Sequence, residues 1–579
     1  SYKGMIQVLG GTTEGRKAVA ELEEAGNIFY YSTKTGEQEV ELCHGIAIQG
    51  AMTEEAMLAF CQQKQIRLLV DAAHPFATIL HHTVARVANQ LRLPVIRFER
   101  IFPPRDTDIT WVDSYDDVVQ LLSKQPGTTV EATTGVQSIA RLKVLENHGI
   151  KMYYHILDRP SSLIKALACG VGMDQLIRYG QENQLHADVM IMKESGLSGG
   201  FQQKVDEARR RNMKMIAIRR PAMPQSFLSV NGEHGLRLMV EKLLPEFFPL
   251  HSGLTTGTCA TAAAVAAYRQ LRGKQRTDTV DVMLPNGETI PVAVGYGMGY
   301  AYVIKPSGDD PDITKGAEIR AAVTCTGQPL SIKGGEGIGR FTLPGFDYPP
   351  GEAAINKVPR QMIHRNLHEA SVCVTLSVVR GEELAQHTFN PRLGIEGGIS
   401  IVGVSGIIKP FSEQAFVDSI RKCMTVAKAA GFDTVVINSG AKSERMVRNR
   451  FPTLPAQCFV EYGNYIGDTL KIAQQLQFAQ VCLVMMMGKA VKLAAGHLDT
   501  HSKRCTMDKD FIAKMLAEAG CDENVCRRAL QMTLARELWT IVPADRQQAF
   551  IDVLTGYCYR VCHPLLPNGQ LEIIILNEE

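Results

Sequence analysis

The chain has 579 residues, 45% of them apolar and 21% charged, and single hydrophobic cores stop growing well below that length, so several domains are expected. Basic and acidic residues number 62 and 60, for a net charge of +2, a balance that argues against a nucleic-acid sleeve or a membrane-surface protein. An anionic substrate must then find its positive field in a local cleft.

The fourteen cysteines form no Cys-x-x-Cys. The nearest pairs, Cys521 with Cys526 and Cys558 with Cys562, lack a second half-site, so neither a zinc cluster nor a disulfide framework is expected. No basic stretch leads into an apolar run at the start, and nothing approaches the ~18 apolar residues of a membrane span. The expectation is a cytoplasmic α/β protein without nucleic-acid or membrane partners; a homo-oligomer is compatible with the composition.

In chain order, Met5–Leu9 reads as an apolar strand and Thr13–Ala25 as an amphipathic helix. Ile28–Ser32, Leu68–Ala72 and Val95–Phe98 follow as strands, and the alternation predicts βαβ units around a parallel sheet. A breaker-rich segment, Ile101–Asp108, interrupts it. Thr129–Ala132, Met152–His155, Val189–Met192 and Met215–Ile218 then resume the pattern. The first half therefore reads as two Rossmann-like α/β lobes with a cleft, residues 1–248, split near residue 100 into lobes of about 1–100 and 101–248. Pro245–Gly253 is the main boundary. Beyond it, residues 252–579 read as an α+β lobe, about 252–410, followed by an α/β lobe, about 411–579. In the latter, Thr434–Asn438, Gln457–Val460 and Val481–Met486 are the predicted strands.

The first strand runs into Gly10-Gly11-Thr12-Thr13-Glu14-Gly15 and a helix, a turn that lets backbone N–H groups approach a dinucleotide pyrophosphate. Gly10, Gly11, Thr12, Thr13 and Gly15 are the candidate cofactor contacts. Ser32, Thr33 and Lys34 stand where an acidic residue usually closes the second strand, so NADH and NADPH both remain open. His74, in a loop after a buried strand, is the candidate catalytic residue, as a positioning or proton-donating group; a helix-start histidine held by its own loop is an equal alternative. Lys193, Ser195, Arg219 and Arg220 are candidates for substrate carboxylates, guanidinium forks being suited to them.

In the second half, Thr255, Thr256 and Thr258 open an Ala-rich helix, as an anion site or a plain cap. Asp309, Asp310 and Asp312 share one turn, where local backbone capping outweighs a cation site. The glycine runs at 334–339 and 394–398 call for close approach of backbone or ligand. Ser439, Gly440, Gly463, Asn464, Gly467 and Gly488 sit at strand ends or helix starts and are the candidate contacts for S-adenosylmethionine. Arg340, Arg392 and Lys489 are the candidates for substrate acetate and propionate groups. His497 and His501 have helical spacing, but with no third ligand no metal site is expected.

Over about the first 245 residues, Gly-Gly-Thr-Thr-Glu-Gly-Arg (10–16), His-Pro-Phe-Ala (74–77), Arg-Phe-Glu-Arg (97–100), Thr-Thr-Gly (133–135), Lys-Glu-Ser-Gly (193–196) and Arg-Arg-Pro (219–221) together resemble the precorrin-6A reductase family. From Gly253 onward the chain resembles the cobalt-precorrin-5B C1-methyltransferase family. The carriers there are Leu-Thr-Thr-Gly-Thr-Cys-Ala (254–260), Asp-Asp-Pro-Asp-Ile-Thr-Lys-Gly (309–316), Gly-Gly-Glu-Gly-Ile-Gly (334–339), Asn-Pro-Arg-Leu-Gly-Ile-Glu-Gly-Gly-Ile-Ser-Ile (390–401), Gly-Asn-Tyr-Ile-Gly (463–467) and Gly-Lys-Ala-Val-Lys-Leu-Ala-Ala-Gly (488–496). Ala73, Val404-Ser405 and Ser439 depart from the usual pattern.

The resemblances imply a bifunctional enzyme of corrin-ring biosynthesis. It would methylate cobalt-precorrin-5B with S-adenosylmethionine, then reduce the product with NADH or NADPH to cobalt-precorrin-6B. Two readings compete: a C-terminal half that only shuttles the tetrapyrrole, and an N-terminal sugar-nucleotide dehydrogenase, which is disfavoured because no catalytic Tyr-x-x-x-Lys pair is expected.

Overall fold

The computed structural model describes residues 5–36, 38, 40–180, 185–500 and 506–577. It divides into two compact units. The first holds Ser1–Ser252 with Asp281–Pro291, and the second Gly253–Val280 with Val292–Glu579.

Five strands open the first unit: β1 (Ile6–Leu9), β2 (Phe29–Thr33), β3 (Gly45–Gln49), β4 (Leu68–Asp71) and β5 (Val95–Phe98). β1, β4 and β5 are buried along their whole length, which is why each is mostly apolar without alternation, interrupted only by the buried Gln7, Asp71 and Arg97. Six more follow: β6 (Ile109–Val112), β7 (Thr129–Ala132), β8 (Lys151–Ile156), β9 (Leu176–Arg178), β10 (Val189–Lys193) and β11 (Lys214–Ile218). They form a second parallel sheet in the order β6-β11-β10-β7-β8-β9.

The chain then crosses back. β12 (Leu228–Val230) pairs in parallel with β5, Leu228 opposite Ile96 and Val230 opposite Phe98, giving the first sheet the order β12-β5-β4-β1-β2-β3. A single lobe boundary near residue 100 therefore needs correction: the end of the 101–248 segment completes the first sheet. The helix Glu233–Leu243 buries Leu236 and Val240 in that sheet's core with Ala18 and Leu22. The hairpin segment Asp281–Pro291 also joins this unit. There the buried Glu288 carboxylate accepts the amides of His234 and Gly235 at 3.1 and 3.0 Å.

In the second unit a five-stranded sheet runs in the order Gly295–Gly297, Tyr300–Ile304, Glu318–Cys325, Val372–Val378, Ser331–Gly334. The helix Thr256–Leu271 packs on its two central hairpin strands. Its alanines at 260, 262, 263, 264 and 266 are fully buried, since small side chains let helix and sheet approach closely. The last lobe is a parallel four-stranded sheet in the order Phe459–Glu461, Thr434–Asn438, Gln480–Met486, Gln570–Leu576. No helix among the described residues is long and apolar enough to cross a membrane.

Candidate functional site

A cleft of about 1140 Å³ in the first unit is lined by residues carried on both of its sheets. Gly10, Gly11 and Thr12 form one wall. Tyr31 from β2 packs behind them: a Cβ on Gly10 would stand 2.3 Å from its ring, and one on Gly15 2.5 Å from its hydroxyl. Only glycine fits at either position, and at Gly11 the φ of 92° independently favours it.

The Tyr31 hydroxyl accepts the Gly11 amide at 3.0 Å and bonds the Gln38 carbonyl, while the Gln38 amide donates to Thr12 O at 2.8 Å. Gly10 N donates to Ser32 O, and Gly15 N to the Thr12 hydroxyl. The amides at Gly10, Gly11 and Gly15 are therefore used within the loop, a correction to their expected role as phosphate donors. Thr13 and Glu14, at the helix start, donate their amides to no described residue. Those are the donors that suit a phosphate. Gly15 lies under Tyr31, outside the lining.

His74, Lys193 and Arg219 also line the cleft. His74 Nδ1 accepts the Phe76 amide at 3.1 Å, which puts the ring proton on Nε2. Its carbonyl is fixed from below, accepting from His81 Nε2 at 3.0 Å. His81 Nδ1 in turn bonds Asp71 Oδ2, and the fully buried Arg97 bonds Asp71 Oδ1 at 3.1 Å and Ala73 O at 2.6 Å. Burial, followed by the charges of Arg100 and Lys193, pushes the His74 pKa down to about 3. The ring is neutral throughout the ordinary pH range: its Nε2–H is a hydrogen-bond donor, and the ring has no imidazolium proton to deliver.

Turnover of this unit should therefore carry no His74 limb between about pH 5 and 9. His74→Gln should retain more activity than His74→Ala; loss of an acidic limb in the His74→Gln profile would instead make it the proton source. Because folding lowers this pKa, the unfolded chain takes up the proton first. Stability from this group is full above about pH 6.5 and drains as the pH falls toward 3.

Lys193 sits 5.3 Å over the Phe76 ring, its pKa lowered by burial and by Arg100. Arg219 reaches Asp113 at 3.0 Å. Two expected substrate contacts lie elsewhere. Ser195 is buried, donating to Gly199 O at 3.1 Å, and its carbonyl accepts from Arg100. Arg220 lies over the Phe102 ring at 3.7 Å and pairs with Glu194 at 3.0 Å. Consecutive residues leaving a strand face opposite ways, so only one of the two arginines enters the cleft. Arg100 bonds Glu14 at 2.7 Å as well as Ser195 O, tying the first helix to the Lys193–Gly196 loop.

The one Tyr-x-x-x-Lys spacing, Tyr30 to Lys34, lies along β2. Tyr30 is buried edge-on against Phe60, so no catalytic pair forms.

In the second unit the Thr-rich helix start is a cap and a strap. Thr255 accepts the Thr258 amide at 3.1 Å, Thr256 accepts the Val402 amide at 2.8 Å, and Thr258 donates to Gly406 O at 2.8 Å. Asp312 binds its own turn through Thr314 and the buried Lys305. An anion site and a cation site are thereby replaced by local capping. At the glycine runs backbone crosses backbone: a Cβ on Gly398 would lie 2.1 Å from Gly337 O, and one on Gly381 2.2 Å from the same atom.

The last sheet brings three loops to its carboxyl edge. Ser439 and Gly440 close over Ser443, which accepts both of their amides, at 3.0 and 3.2 Å. Gly463 adopts a φ of 58°, and its carbonyl accepts from Lys489, whose ammonium stands 5.1 Å over the Tyr462 ring. Burial brings the Lys489 pKa down to about 8 against the pull of Glu461. Around Gly488 a Cβ would meet nothing within 4 Å, so that start of a helix is open. Asn464 accepts the Thr500 amide on its carbonyl. Gly467 is a packing position, its missing Cβ facing Leu498 at 3.2 Å.

Arg392, from the 390–401 segment, reaches this edge and bonds Glu444 at 2.8 Å. Arg340 rests instead on Gly351 O at 3.2 Å at the surface. His497 is exposed, and His501 lies outside the described residues. No group of three or more potential metal ligands occurs among the described residues.

A two-lobed α/β unit with a glycine-walled cleft precedes a second unit that ends in a parallel sheet with a glycine-rich edge, an architecture suited to two nucleotide-type cofactors. Residues 5–234 match the family described as precorrin-6x reductase CbiJ/CobK, residues 245–410 the CbiD family, and residues 499–579 its C-terminal domain. The cobalt-precorrin-5B C(1)-methyltransferase of Geobacillus sp. (strain WCH70) is 40% identical over 324 residues, covering 53% of this chain and 88% of its own. That of Prosthecochloris aestuarii (strain DSM 271 / SK 413) is 37% identical over 345 residues, covering 56% and 94%. A solved CobK precorrin-6A reductase aligns at 18% identity over 42% of this chain and 98% of its own, with a TM-score of 0.34. The chain belongs to the cobalt-precorrin-5B C1-methyltransferase family, with a precorrin-6x reductase family domain fused ahead of it.

Proposed function

We propose that the chain catalyses two successive steps of corrin-ring (cobalamin) biosynthesis. The C-terminal unit methylates cobalt-precorrin-5B at C1 with S-adenosylmethionine, giving cobalt-precorrin-6A, and the N-terminal unit reduces that product to cobalt-precorrin-6B with NADH or NADPH. The observation that carries this reading is the charge of the first unit's cleft. In a chain of net charge +2, its lining among the described residues holds Arg16, Lys34, Arg141, Arg159, Lys193 and Arg219 against one acid, Asp113. That local field suits a polycarboxylate macrocycle beside a phosphate-bearing cofactor.

Bound at these two places, NAD(P)H supplies a hydride and S-adenosylmethionine a methyl group. The rest is positioning. The Thr13 and Glu14 amides hold phosphate while Gly10 keeps the surface over Tyr31 clear. His74 offers a neutral Nε2–H at the cleft wall. Lys193 and Arg219 take substrate carboxylates. In the second unit Lys489 and Arg392 orient acid side chains beside the strand ends, where methyl transfer needs alignment and exclusion of water more than acid or base. A cytoplasmic setting accords with this chemistry and with cysteines that are unpaired throughout the described residues.

Full-length protein supplied with cobalt-precorrin-5B and methyl-labelled S-adenosylmethionine should label the macrocycle, and should then oxidise NAD(P)H. Gly10→Val should abolish the oxidation and leave labelling intact. Macrocycle binding without labelling would replace the methyltransferase with the shuttle reading, and equal oxidation by Gly10→Val would remove the reductase site from this cleft.

A further inference from the structure

The last sheet has the strand order second, first, third, fourth in chain sequence. Such doubly wound sheets bind nucleotides outside the carboxyl ends of the strands, at the point where the strand order reverses, between the first and third strands. Here that point lies between Thr434–Asn438 and Gln480–Met486, with the Ser439-Gly440 loop on one side and the open Gly488 turn on the other.

In dinucleotide-binding folds an acidic residue about 20 positions beyond the glycine turn receives the ribose hydroxyls. Glu461 occupies that place. It ends the strand neighbouring the first, in register with Asn438. Its carboxylate lies 3.6 Å from where a Cβ of Gly440 would stand, so it overhangs the loop and the glycine leaves room beneath it. Glu461 is exposed and accepts no hydrogen bond or ion pair from any described residue, whereas the nearby Glu444 is consumed by Arg392 and Arg448.

A second observation at the foot of the same loop points to a missing partner. Asn438 is 1% exposed. Its Oδ1 accepts the Gly440 amide at 3.1 Å, yet its Nδ2 has no acceptor among the described residues. A buried donor without an acceptor is costly, and native proteins retain few of them.

We propose that Glu461 accepts the ribose hydroxyls of S-adenosylmethionine at the carboxyl end of the strand Phe459–Glu461, above the Asn438–Gly440 loop. This assignment rests on the methyltransferase reading and adds to it the residue that recognises the nucleoside. A carboxylate is the fitting acceptor for a vicinal diol, since both of its oxygens accept and it has nothing to donate.

The test is calorimetric titration of the full chain with S-adenosylhomocysteine and with its 2′,3′-dideoxy analogue. Wild type should prefer the hydroxylated ligand by about 10- to 100-fold, the worth of hydrogen bonds to a charged acceptor. Glu461→Ala should lose that factor on S-adenosylhomocysteine and almost nothing on the analogue, and Glu461→Asp should recover part of it. The thermal unfolding transition of the second unit in each variant, compared with wild type, reports whether that unit is folded. Equal losses on both ligands would mark Glu461 as a partner of the ligand's ammonium group, and no loss on either would remove it from the site; each result overturns the proposal while methyl transfer stands. Wild type that neither binds S-adenosylhomocysteine nor transfers methyl would take down the methyltransferase reading itself.

Discussion

Asp71→Ala is expected to destabilise the first unit by about 3–5 kcal/mol, because it strands a guanidinium in the interior. Arg97 has no exposed surface, and Asp71 Oδ1 at 3.1 Å is its one fully buried carboxylate partner; Glu99, the other, sits at the edge with a side chain 18% exposed. The same aspartate holds His81, and His81 holds the carbonyl of His74. The substitution should therefore lower the melting temperature of this unit by roughly 10 °C and end NAD(P)H oxidation, while methyl transfer in the second unit continues. Asp71→Ala combined with Arg97→Met should recover most of the stability, since replacing a buried pair costs far less than breaking it. A single variant within about 1 kcal/mol of wild type by denaturant unfolding of this unit followed by circular dichroism would show that the charge finds water or another partner.

The second large effect belongs to Gly398. Its added Cβ would meet Gly337 O at 2.1 Å and the attached carbon at 2.2 Å. Both are main-chain atoms, so no rotamer change relieves the clash. Gly398→Ala should cost about 3 kcal/mol, at the upper end for overpacking, and should abolish methyl transfer while leaving reduction intact. Gly397→Ala is the control next door. It has φ 92° but nothing within 4 Å of its Cβ position, so only backbone strain of about 1–2 kcal/mol applies. Equal retention of methyl transfer by both variants would show that the crossing can open.

Buried parallel strands such as β1 and β4 were legible because both faces are covered and three of the four residues in each are apolar. β3, Gly-Ile-Ala-Ile-Gln at the sheet edge, is mostly exposed and carries no such run. β12, three residues with Leu228 and Ser229 exposed, follows prolines and offers no period at all, and with it went the return to the first sheet. Gln570–Leu576 carries the apolar run Ile573–Leu576, yet only Ile574 and Leu576 are buried, and it was not among the expected strands.

The site divides similarly. Glycines 10–11, His74, Lys193 and Arg219 follow strand ends, and the sheet gathers strand ends without help from distant sequence. Tyr31 and Gln38 brace the glycine loop through contacts that no local pattern encodes. Arg220 and Ser195 had the right residue types at the right loops, but side-chain direction is decided by register and packing. The acid at Glu461 becomes meaningful only once the strand order is known.

The hairpin around Glu288 bears on how the gene can be divided. A stop placed after Ser252 would discard the carboxylate that satisfies the His234 and Gly235 amides and the Thr289 amide that bonds Asn231 at 2.8 Å. The matching downstream fragment would carry that acid away from its donors. Point substitutions, rather than truncation, are the route to a chain that keeps one activity and lacks the other.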